Sequence, residues 1–216
     1  AEVEREFVVR APEGISIVFG SVVARALQER MPLASVRFLP EGGGEAAALR
    51  EGRVDLDIGP APDRGPEIEI DPLFEQRLTG VVREGHRLLD GPLTLKRFAA
   101  ERHVNIALPS QSAKALDAAL SGAGIRRRIQ LTVSSPYAAL MAAARSDLVA
   151  TVPTRLAQSV QSSLKLATFK LPLAVAAERI VLSWHPRFTG DAGHAWLRAY
   201  LKEVLTSKIW AAPGPR

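Results

Sequence analysis

The sequence predicts an α/β fold with mainly parallel sheets, arranged as two lobes. Short segments rich in β-branched and aromatic residues alternate with helical segments along most of the 216 residues. Such βα alternation is typical of parallel sheets covered by helices. Two successive βα series are followed by a strong strand and an amphipathic helix near the C-terminus. We therefore expect two hinge crossings, with residues 1–80 and 179–216 forming lobe I and residues 81–178 forming lobe II.

The composition indicates a folded, cysteine-free protein. Hydrophobic residues make up 47% and charged residues 24%, which are ordinary values for a globular domain. The absence of cysteine excludes disulfides, thiolate metal sites and cysteine nucleophiles. No apolar run approaches the roughly 20 residues that span a bilayer, and the polar N-terminus is unlike a signal peptide. We expect a cytoplasmic protein, although a mature secreted protein would also lack its signal.

The formal net charge is +5, and a basic balance can indicate nucleic acid or anionic ligands as partners. Most basic residues are dispersed among acidic ones. The one compact basic run, Arg126–Arg128, fits a solvated turn between a helix and a strand. The charge pattern therefore does not predict a contact with DNA.

The N-terminal part of lobe I predicts two βα units. Apolar residues at helical spacing follow the turn Pro12–Gly14. Pro32 ends this helix, because proline disfavours helical geometry in the residue before it. The elements are, in order, strand Glu6–Arg10, helix Ile15–Arg30, strand Ser35–Leu39 and helix Glu45–Glu51.

The clearest βα junction is the one around Gly52. Glycine adopts a positive φ without a steric penalty, so Gly52 suits a helix C-cap. Val54–Gly59 then reads as a strand that places Asp55 and Asp57 on one face. Two such carboxylates could act as an acid/base pair. Neighbours in one strand do not straddle a substrate bond, however, so a framework role is the favoured interpretation.

The remaining segments predict a second βα series and a return to the first lobe. Thr94 is the predicted N-cap of a short helix. The expected strands are Ile68–Ile70, Leu78–Val82, His103–Leu108, Arg128–Val133, Leu148–Val152, Ala167–Leu171 and Glu178–Trp184. The expected helices are Thr94–Arg102, Ser112–Gly122, Pro136–Arg145, Thr154–Ser162 and Ala192–Ser207.

Motifs for catalysis, metal binding and phosphate binding are missing from the sequence. There is no Gly-x-Ser-x-Gly elbow for a serine nucleophile, and Gly42–Gly44 lacks the Lys-Ser/Thr ending of a P-loop. The four histidines do not pair at helical metal-ligand spacing. We therefore expect no catalytic residue, no metal and no cofactor.

Three connections between strands and helices could instead hold a small molecule. Helix N-termini present unpaired N–H groups and a positive dipole end, which suit carboxylates. Serine hydroxyls and the Gln111 amide add donors, and Tyr137 could supply an aromatic wall. Plain N-capping by serine is the alternative at each place. The connections are Pro12–Ser16, Leu108–Ala113 and Ser134–Tyr137.

Several stretches, in their order and spacing, resemble one family. Leu49–Gly59 matches the pattern L-x-x-G-x-(L/V)-D-L-x-I-G, and Ser146–Pro153 resembles S-D-L-I-A-x-(L/V)-P. Val82–Leu88 resembles the crossover of the same family. Together they resemble the effector-binding domain of LysR-type transcriptional regulators, which has a two-lobed type 2 periplasmic-binding-protein fold. His103-Val104 and Trp184–Arg187 are similar to the branch that senses aromatic compounds and flavonoids.

This resemblance implies a regulatory function rather than an enzyme. An inducer would bind in the cleft between the lobes. Regulatory domains would form an antiparallel homodimer through the edge strand Ser35–Leu39 and the first helix. The full-length protein would form a tetramer. DNA would be bound only through an N-terminal winged helix-turn-helix domain that this sequence lacks. No membrane partner is implied. The residues placed near the cleft are Pro12, Glu13, His103, Ser110, Gln111, Pro136, Tyr137, Pro153, Thr154, Trp184 and His185.

The sequence departs from the family at one expected ligand position. Pro12-Glu13-Gly14 stands where a serine or threonine is usual, which removes a donor and adds an acid. The expected effector is a carboxylate or an aromatic compound, and His103→Ala is expected to weaken its binding without unfolding the domain. A periplasmic solute-binding protein or an enzyme on the same fold, such as a deaminase, remain the alternatives, because fold alone does not decide function.

Overall fold

The computed structural model describes residues 4–42, 45–60, 67–107 and 111–207. Its strands and helices alternate in the predicted order, with two short 3-10 helices at Arg87–Leu89 and Pro186–Phe188. The elements are β1 Arg5–Arg10, α1 Glu13–Arg30, β2 Ala34–Leu39, α2 Glu45–Arg50, β3 Leu56–Pro60, β4 Glu69–Gln76, β5 Leu78–Arg83, α3 Leu95–Ala100, β6 Arg102–Ile106, α4 Gln111–Gly122, β7 Arg128–Val133, α5 Pro136–Ala144, β8 Ala150–Pro153, α6 Thr154–Leu164, β9 Leu166–Phe169, β10 Glu178–Trp184 and α7 Ala192–Thr206.

The chain divides into two compact units. Unit 1 comprises Ala1–Glu75 and Arg179–Lys208, and unit 2 comprises Gln76–Glu178 with the C-terminal residues. Residues 76–80, which we expected in lobe I, belong to unit 2. The physical reason is that β5 begins at Leu78 and pairs with β8 and β9, which are both strands of unit 2.

Unit 1 contains a five-stranded sheet in the order β2-β1-β3-β10-β4. Strand β1 runs parallel to β2 and β3, whereas β10 runs antiparallel to β3. Helix α1 buries residues at four-residue spacing, as the periodicity predicted. Fully buried side chains of the sheet include Phe7, Leu56, Ile58 and Leu182.

The junction at Gly52 has the predicted geometry, but the strand after it starts later than predicted. Gly52 has a φ of +73° and follows the end of α2, which confirms its role as a helix C-cap. Strand β3 begins at Leu56 rather than at Val54. Val54 packs instead with Ala48 and Leu49 in a cluster beneath α2. The predicted strand alternation therefore applies only from residue 56 onwards.

Unit 2 contains a three-stranded sheet in the order β8-β5-β9 and a two-stranded sheet of β6 and β7. Strand β5 pairs antiparallel with both neighbours, whereas β6 and β7 are parallel. The α/β class is thus confirmed, with mixed rather than mainly parallel sheets. The antiparallel pairs arise at β5 and β10, the strands at the two boundaries between units.

The core of unit 2 lies around Val82, Phe98 and Leu116, all of which are at most 1% exposed. Helix α3 begins at the predicted cap, where the Thr94 side chain accepts a hydrogen bond from Arg97 N at 3.2 Å. Across the described ranges, no helix combines the length and the apolar character that membrane crossing requires.

Candidate functional site

Three helices of unit 2 begin at the same edge of its strands. Strands β6 and β7 are parallel, and a parallel bridge between His103 and Val149 aligns the segment leading into β8. Helices α4, α5 and α6 follow β6, β7 and β8. Their N-termini therefore lie at the carboxyl ends of the strands, where α/β proteins bind ligands. We refer to Gln111, Pro136, Tyr137, Pro153 and Thr154 as the unit 2 edge.

The structure thus brings five of the predicted residues to one edge. Ser135 caps α5 by accepting a hydrogen bond from Ala138 N at 3.3 Å, with Pro136 at the first turn. Pro153 precedes α6 without a side-chain cap. Thr154 donates from both N and Oγ1 to the carbonyl oxygen of Arg77, at 2.8 and 3.0 Å. Ser110, which was also predicted, lies outside the described residues.

Pro12 and Glu13 occupy the corresponding position in unit 1. They follow the carboxyl end of β1 and start α1. Pro12 has a φ of −51° and a ψ of 139° and provides no side-chain cap, and Glu13 is exposed. Ser16 Oγ donates to the carbonyl oxygen of Glu13 at 2.9 Å. The α1 N-terminus therefore keeps its positive dipole end without a capping carboxylate or hydroxyl from Pro12.

A buried ion pair at this end of unit 1 was missed by the sequence analysis. Arg10, the last residue of β1, is paired in register with Asp57 near the amino end of β3, and the two residues are 6% and 3% exposed. Arg10 Nε donates to Asp57 Oδ2 at 3.2 Å, and Nη2 contacts the same oxygen. This pairing confirms that Asp57 is a framework residue. Opposite charges at the ends of two neighbouring strands were the available signal.

Trp184 is the last residue of β10 and His185 follows it, and this end of β10 points away from the α1 N-terminus. Strand β10 is antiparallel to β3, with Ser183 opposite Asp57. Trp184 is therefore about three residues, or roughly 10 Å, from the level of Pro12 along the strands. The structure does not bring Trp184 and His185 to the α1 N-terminus, because the returning strand enters the sheet in the opposite direction.

Local contacts account for both of these side chains. His185 Nδ1 accepts hydrogen bonds from Arg187 N and Nε, each at 3.1 Å, so this histidine caps the following 3-10 helix. The guanidinium of Arg198 lies 4.7 Å from the centroid of the Trp184 ring. Trp184 Nε1 is buried and has no hydrogen-bond partner in the part of the chain that the structure describes.

His103 lies in the interior of unit 2, near the amino end of β6. It is fully buried, and its Nε2 donates to the carbonyl oxygen of Phe98 at 2.9 Å. The two rings pack edge to face, with centroids 4.7 Å apart. Nδ1 is buried without a hydrogen-bond partner among the described residues. The burial lowers the pKa of His103 from 6.5 to about 4.

A second buried histidine, His194, holds α7 against the sheet of unit 1. Its Nε2 donates to the carbonyl oxygen of Asp55 at 3.1 Å, while Nδ1 accepts a hydrogen bond from Arg198. The ring stacks on Phe188 with centroids 4.7 Å apart. Burial lowers the pKa of His194. Nε2 can donate in either protonation state, but Nδ1 can accept from Arg198 only in the neutral ring, so protonation would oppose the Arg198 contact.

The stability of the domain is expected to fall as the pH drops below about 6.5. The folded chain resists protonation of His103, whereas the unfolded chain binds the proton near pH 6.5. The free energy of unfolding is therefore highest above pH 6.5 and falls towards pH 4. His103 alone accounts for a decrease of about 3 kcal/mol. Urea denaturation at several pH values measures the slope.

The matched variants for this prediction are His103→Asn and Ile58→Val. His103→Asn removes the titrating group and should flatten the decline, even if stability at neutral pH is lower. Ile58→Val shortens another buried side chain and should keep the wild-type slope. An unchanged pH slope in His103→Asn would contradict the assignment.

Metal binding is not supported by the arrangement of side chains. Within the described ranges, no three His, Asp or Glu residues come together in a group that could hold an ion. The unit 2 edge offers helix N-termini and the Thr154 hydroxyl, which suit an organic ligand.

Comparison with known proteins identifies the class of domain. The family model described as "LysR substrate binding domain" matches residues 1–206, which covers elements of both units. The chain therefore belongs to the LysR substrate-binding domain family, as the motif resemblance indicated.

The relatives of this chain include named transcriptional regulators. It is 30% identical over 182 residues to the HTH-type transcriptional activator NagR of Ralstonia sp, covering 84% of this chain and 60% of NagR. It is 28% identical over 202 residues to Nodulation protein D 1 of Rhizobium tropici, covering 92% of this chain and 65% of that protein. The chain thus spans somewhat less than two thirds of the length of these two relatives. The nodulation protein among them belongs to the branch that the sequence motifs predicted.

Solved structures confirm the fold. The regulatory domain of MexT, a transcriptional activator in Pseudomonas aeruginosa, superposes with a TM-score of 0.79 at 17% identity, covering 91% of this chain and 98% of that one. The effector binding domain of QuiR in complex with shikimate superposes with a TM-score of 0.68 at 14% identity, covering 92% and 96%. At these identities the likeness concerns the fold alone.

Proposed function

We propose that this chain is the effector-sensing part of a LysR-type transcription factor that works in the bacterial cytoplasm. One observation carries the proposal: the family model matches residues 1–206, from β1 to the end of α7. Binding of a small molecule would bias the conformation of the domain and so the activity of the whole regulator. DNA binding would belong to a helix-turn-helix domain, in keeping with the regulators that this chain resembles.

The unit 2 edge supports binding of the effector, and the α1 N-terminus at Pro12 and Glu13 gives unit 1 a helix end of the same kind. The unit 2 edge combines the N-termini of α5 and α6, the Thr154 hydroxyl and the ring of Tyr137. Pro153 leaves the α6 N-terminus without a side-chain cap, and the positive dipole end of the helix favours an anion there. The N–H of Thr154 itself is already bound to the carbonyl oxygen of Arg77. His103, Trp184 and His185 are proposed to act on this site only through the framework, because each is held by local contacts.

A small carboxylate is the effector class that this chemistry favours. Unit 2 carries 15 Arg and Lys residues against 6 Asp and Glu residues, which gives it a positive field. The similarly folded QuiR domain was solved with shikimate, a carboxylate, and this parallel supports the same class here. The half-buried Tyr137 ring can pack against a cyclic or aromatic body.

Binding without turnover is expected. The relatives named above are transcriptional regulators, and the unit 2 edge shows no nucleophile paired with a base. A ligand that binds only the folded state stabilises it by about 2.7 kcal/mol at a hundredfold excess over Kd. A thermal-shift screen of cyclic and aliphatic carboxylates measures this effect. Each carboxylate is compared with its primary amide, which has a similar shape but no charge.

The variants Tyr137→Ala and His185→Ala give this screen its control. Tyr137 belongs to the unit 2 edge, and we expect its truncation to remove most of the shift produced by an active carboxylate. His185 belongs to unit 1 and caps the 3-10 helix that follows β10, and its truncation should leave that shift unchanged. A carboxylate shift that survives Tyr137→Ala but disappears in His185→Ala would contradict the proposed site.

Self-association is proposed as well, with a homodimer of this domain and a tetramer of the whole regulator. Two exposed apolar side chains support such a contact: Ile17 of α1 is 39% exposed, and Leu33, which directly precedes the edge strand β2, is 49% exposed. Sedimentation of the domain should show dimers. A profile that stays monomeric at high protein concentration would contradict this part of the proposal.

A further inference from the structure

One buried hydroxyl of unit 2 makes no hydrogen bond to the described part of the chain. Thr151, in β8, is 9% exposed, and its Oγ1 is buried without a hydrogen-bond partner among the described residues. A buried hydroxyl in this state lowers stability relative to a methyl group of the same shape. Valine would supply that methyl group, and the adjacent residues Ala150 and Val152 are apolar and fully buried. The threonine therefore indicates a partner that comes from outside the chain.

The Thr151 side chain points to the face of the sheet that α4 covers. Side chains two apart in a strand share a face, and Val149 belongs to the core cluster that contains Leu116 of α4. Gly80 stands opposite Thr151, and a Cβ built on Gly80 would meet the Phe169 ring, which packs against the same cluster. Both neighbours of Thr151 thus place its hydroxyl between β8 and α4.

Along the strand, Thr151 lies at the level of the α4 N-terminus. Strand β6 runs parallel to the segment that leads into β8, and α4 follows the carboxyl end of β6. From Val149 to Thr151 the strand advances roughly 7 Å towards this end. From Leu116 back to Gln111 the helix covers a similar distance, roughly 7.5 Å, in the same direction. The hydroxyl is therefore directed at the first turn of a 12-residue helix, whose dipole favours an anion.

A buried nitrogen on the same face, His103 Nδ1, is less accessible than the Thr151 hydroxyl. It also lacks a hydrogen-bond partner in the part of the chain that the structure describes, and the residue is fully buried. His103 is bridged to Val149, which lies two residues further from the carboxyl edge than Thr151. A molecule that enters from this edge therefore reaches Thr151 before the imidazole.

We propose that Thr151 receives a second polar group of the effector and so determines which carboxylates this domain recognises. The inference rests on the proposed function and narrows the effector class to a cyclic carboxylate that bears a hydroxyl or carbonyl group. The carboxylate would lie at the helix N-termini of the unit 2 edge, and the neutral substituent would share a hydrogen bond with Thr151 Oγ1. The half-buried Phe169 ring, which lies over the neighbouring Gly80, offers an apolar wall to the body of such a molecule.

The surroundings of Thr151 favour a neutral substituent over a charged one or none. A threonine hydroxyl both donates and accepts, so it can bind a hydroxyl or a carbonyl group. A second carboxylate is unsuitable, because burying a charge beside Phe169 and the core is costly. An analogue without the substituent leaves the Thr151 hydroxyl unpaired, and sites of this kind discriminate against such analogues.

Titration calorimetry with matched ligands tests the role of Thr151. The probes are benzoate and cyclohexanecarboxylate, each compared with its monohydroxy derivatives. The wild type should bind at least one hydroxylated probe about tenfold more tightly than the parent compound, because one hydrogen bond is gained in a buried site. Thr151→Val should reduce this ratio to about one. Thr151→Ser keeps the hydroxyl and should retain most of the preference.

Thr168→Val is the matched control. It makes the same exchange of hydroxyl for methyl in β9 of unit 2, where Thr168 is exposed, and should leave the binding ratio at the wild-type value. Thermal unfolding without ligand gives a second readout. Thr151→Val should unfold at the wild-type temperature or above it, because it removes a buried hydroxyl without a partner. A lower unfolding temperature would show that this hydroxyl is bonded within the chain, which overturns the proposal.

The remaining outcomes separate this inference from the proposed function. If carboxylates bind and Thr151→Val keeps the wild-type preference for the hydroxylated probe, the role of Thr151 is wrong, while the effector site at the unit 2 edge stands. The same conclusion follows if the wild type does not distinguish the hydroxylated probes from their parents. If no carboxylate of the wider screen binds, the proposed effector class fails first, and this inference fails with it.

Discussion

Asp57→Leu is expected to lower the free energy of unfolding by about 3–5 kcal/mol, the range for breaking a buried ion pair from one side. The substitution would leave the Arg10 guanidinium charged and unpaired at a position that is only 6% exposed. Arginine does not neutralise itself by losing a proton in proteins. Arg10→Met should be similarly costly, because it removes the buried cation that neutralises the Asp57 carboxylate.

The double variant Arg10→Met/Asp57→Leu should recover most of this loss. A buried pair contributes little net stability beyond a well-packed apolar pair of similar size, because desolvation offsets the attraction. Urea denaturation of the four proteins gives the coupling energy. The matched control is Glu6→Gln, which breaks the exposed pair with Arg37 and should cost less than about 1 kcal/mol. A double variant no more stable than either single variant would show that the pair does not account for the loss.

This ion pair also illustrates what the sequence could reveal. Local signals predicted the local structure well: the glycine at position 52 predicted a positive φ, and Thr94 predicted a helix cap. Both depend on residues only a few positions apart. Arg10 and Asp57 are 47 residues apart and meet only because β1 and β3 are neighbours. Nothing in either strand's own pattern distinguishes a partnered charge from a solvated one.

Strand direction explains the part of the candidate site that the sequence placed differently. Pro136, Tyr137, Pro153 and Thr154 meet at one edge because βα order implies parallel strands, and that rule is local. For the residues at the end of β10, the same rule does not apply. This strand enters unit 1 from unit 2 and pairs antiparallel with β3. Its direction is fixed by where the chain comes from, so the end of β10 at Trp184 points away from Pro12.

Gly80 shows how a close approach inside the sheet can escape the sequence. In the sequence, Gly80 is simply a glycine within the predicted strand Leu78–Val82, and nothing around it indicates a close contact. In the structure it is paired with Thr151 on one side and Phe169 on the other. The Phe169 ring lies over it, so that a Cβ at position 80 would stand 2.1 Å from the ring. Glycine is therefore required here by packing rather than by backbone conformation.

Gly80→Ala is expected to destabilise the domain by about 3 kcal/mol or more, at the upper end for overpacked cores. The Phe169 ring cannot move freely, because it packs edge to face on Phe98 at 6.3 Å and belongs to the core of unit 2. Displacing it would expose apolar surface around Phe98 and weaken the pairing of β5 with β9. Thermal and urea denaturation measure the loss.

Two further variants make this prediction specific. Gly20→Ala places a methyl group in helix α1, where nothing lies within 4 Å of the new Cβ, and should stabilise the domain by up to about 1 kcal/mol. Phe169→Leu leaves room for a methyl group at position 80, so Gly80→Ala should cost much less in that background. If Gly80→Ala is equally harmful with Phe169 and with Leu at position 169, the collision with the ring is not the cause.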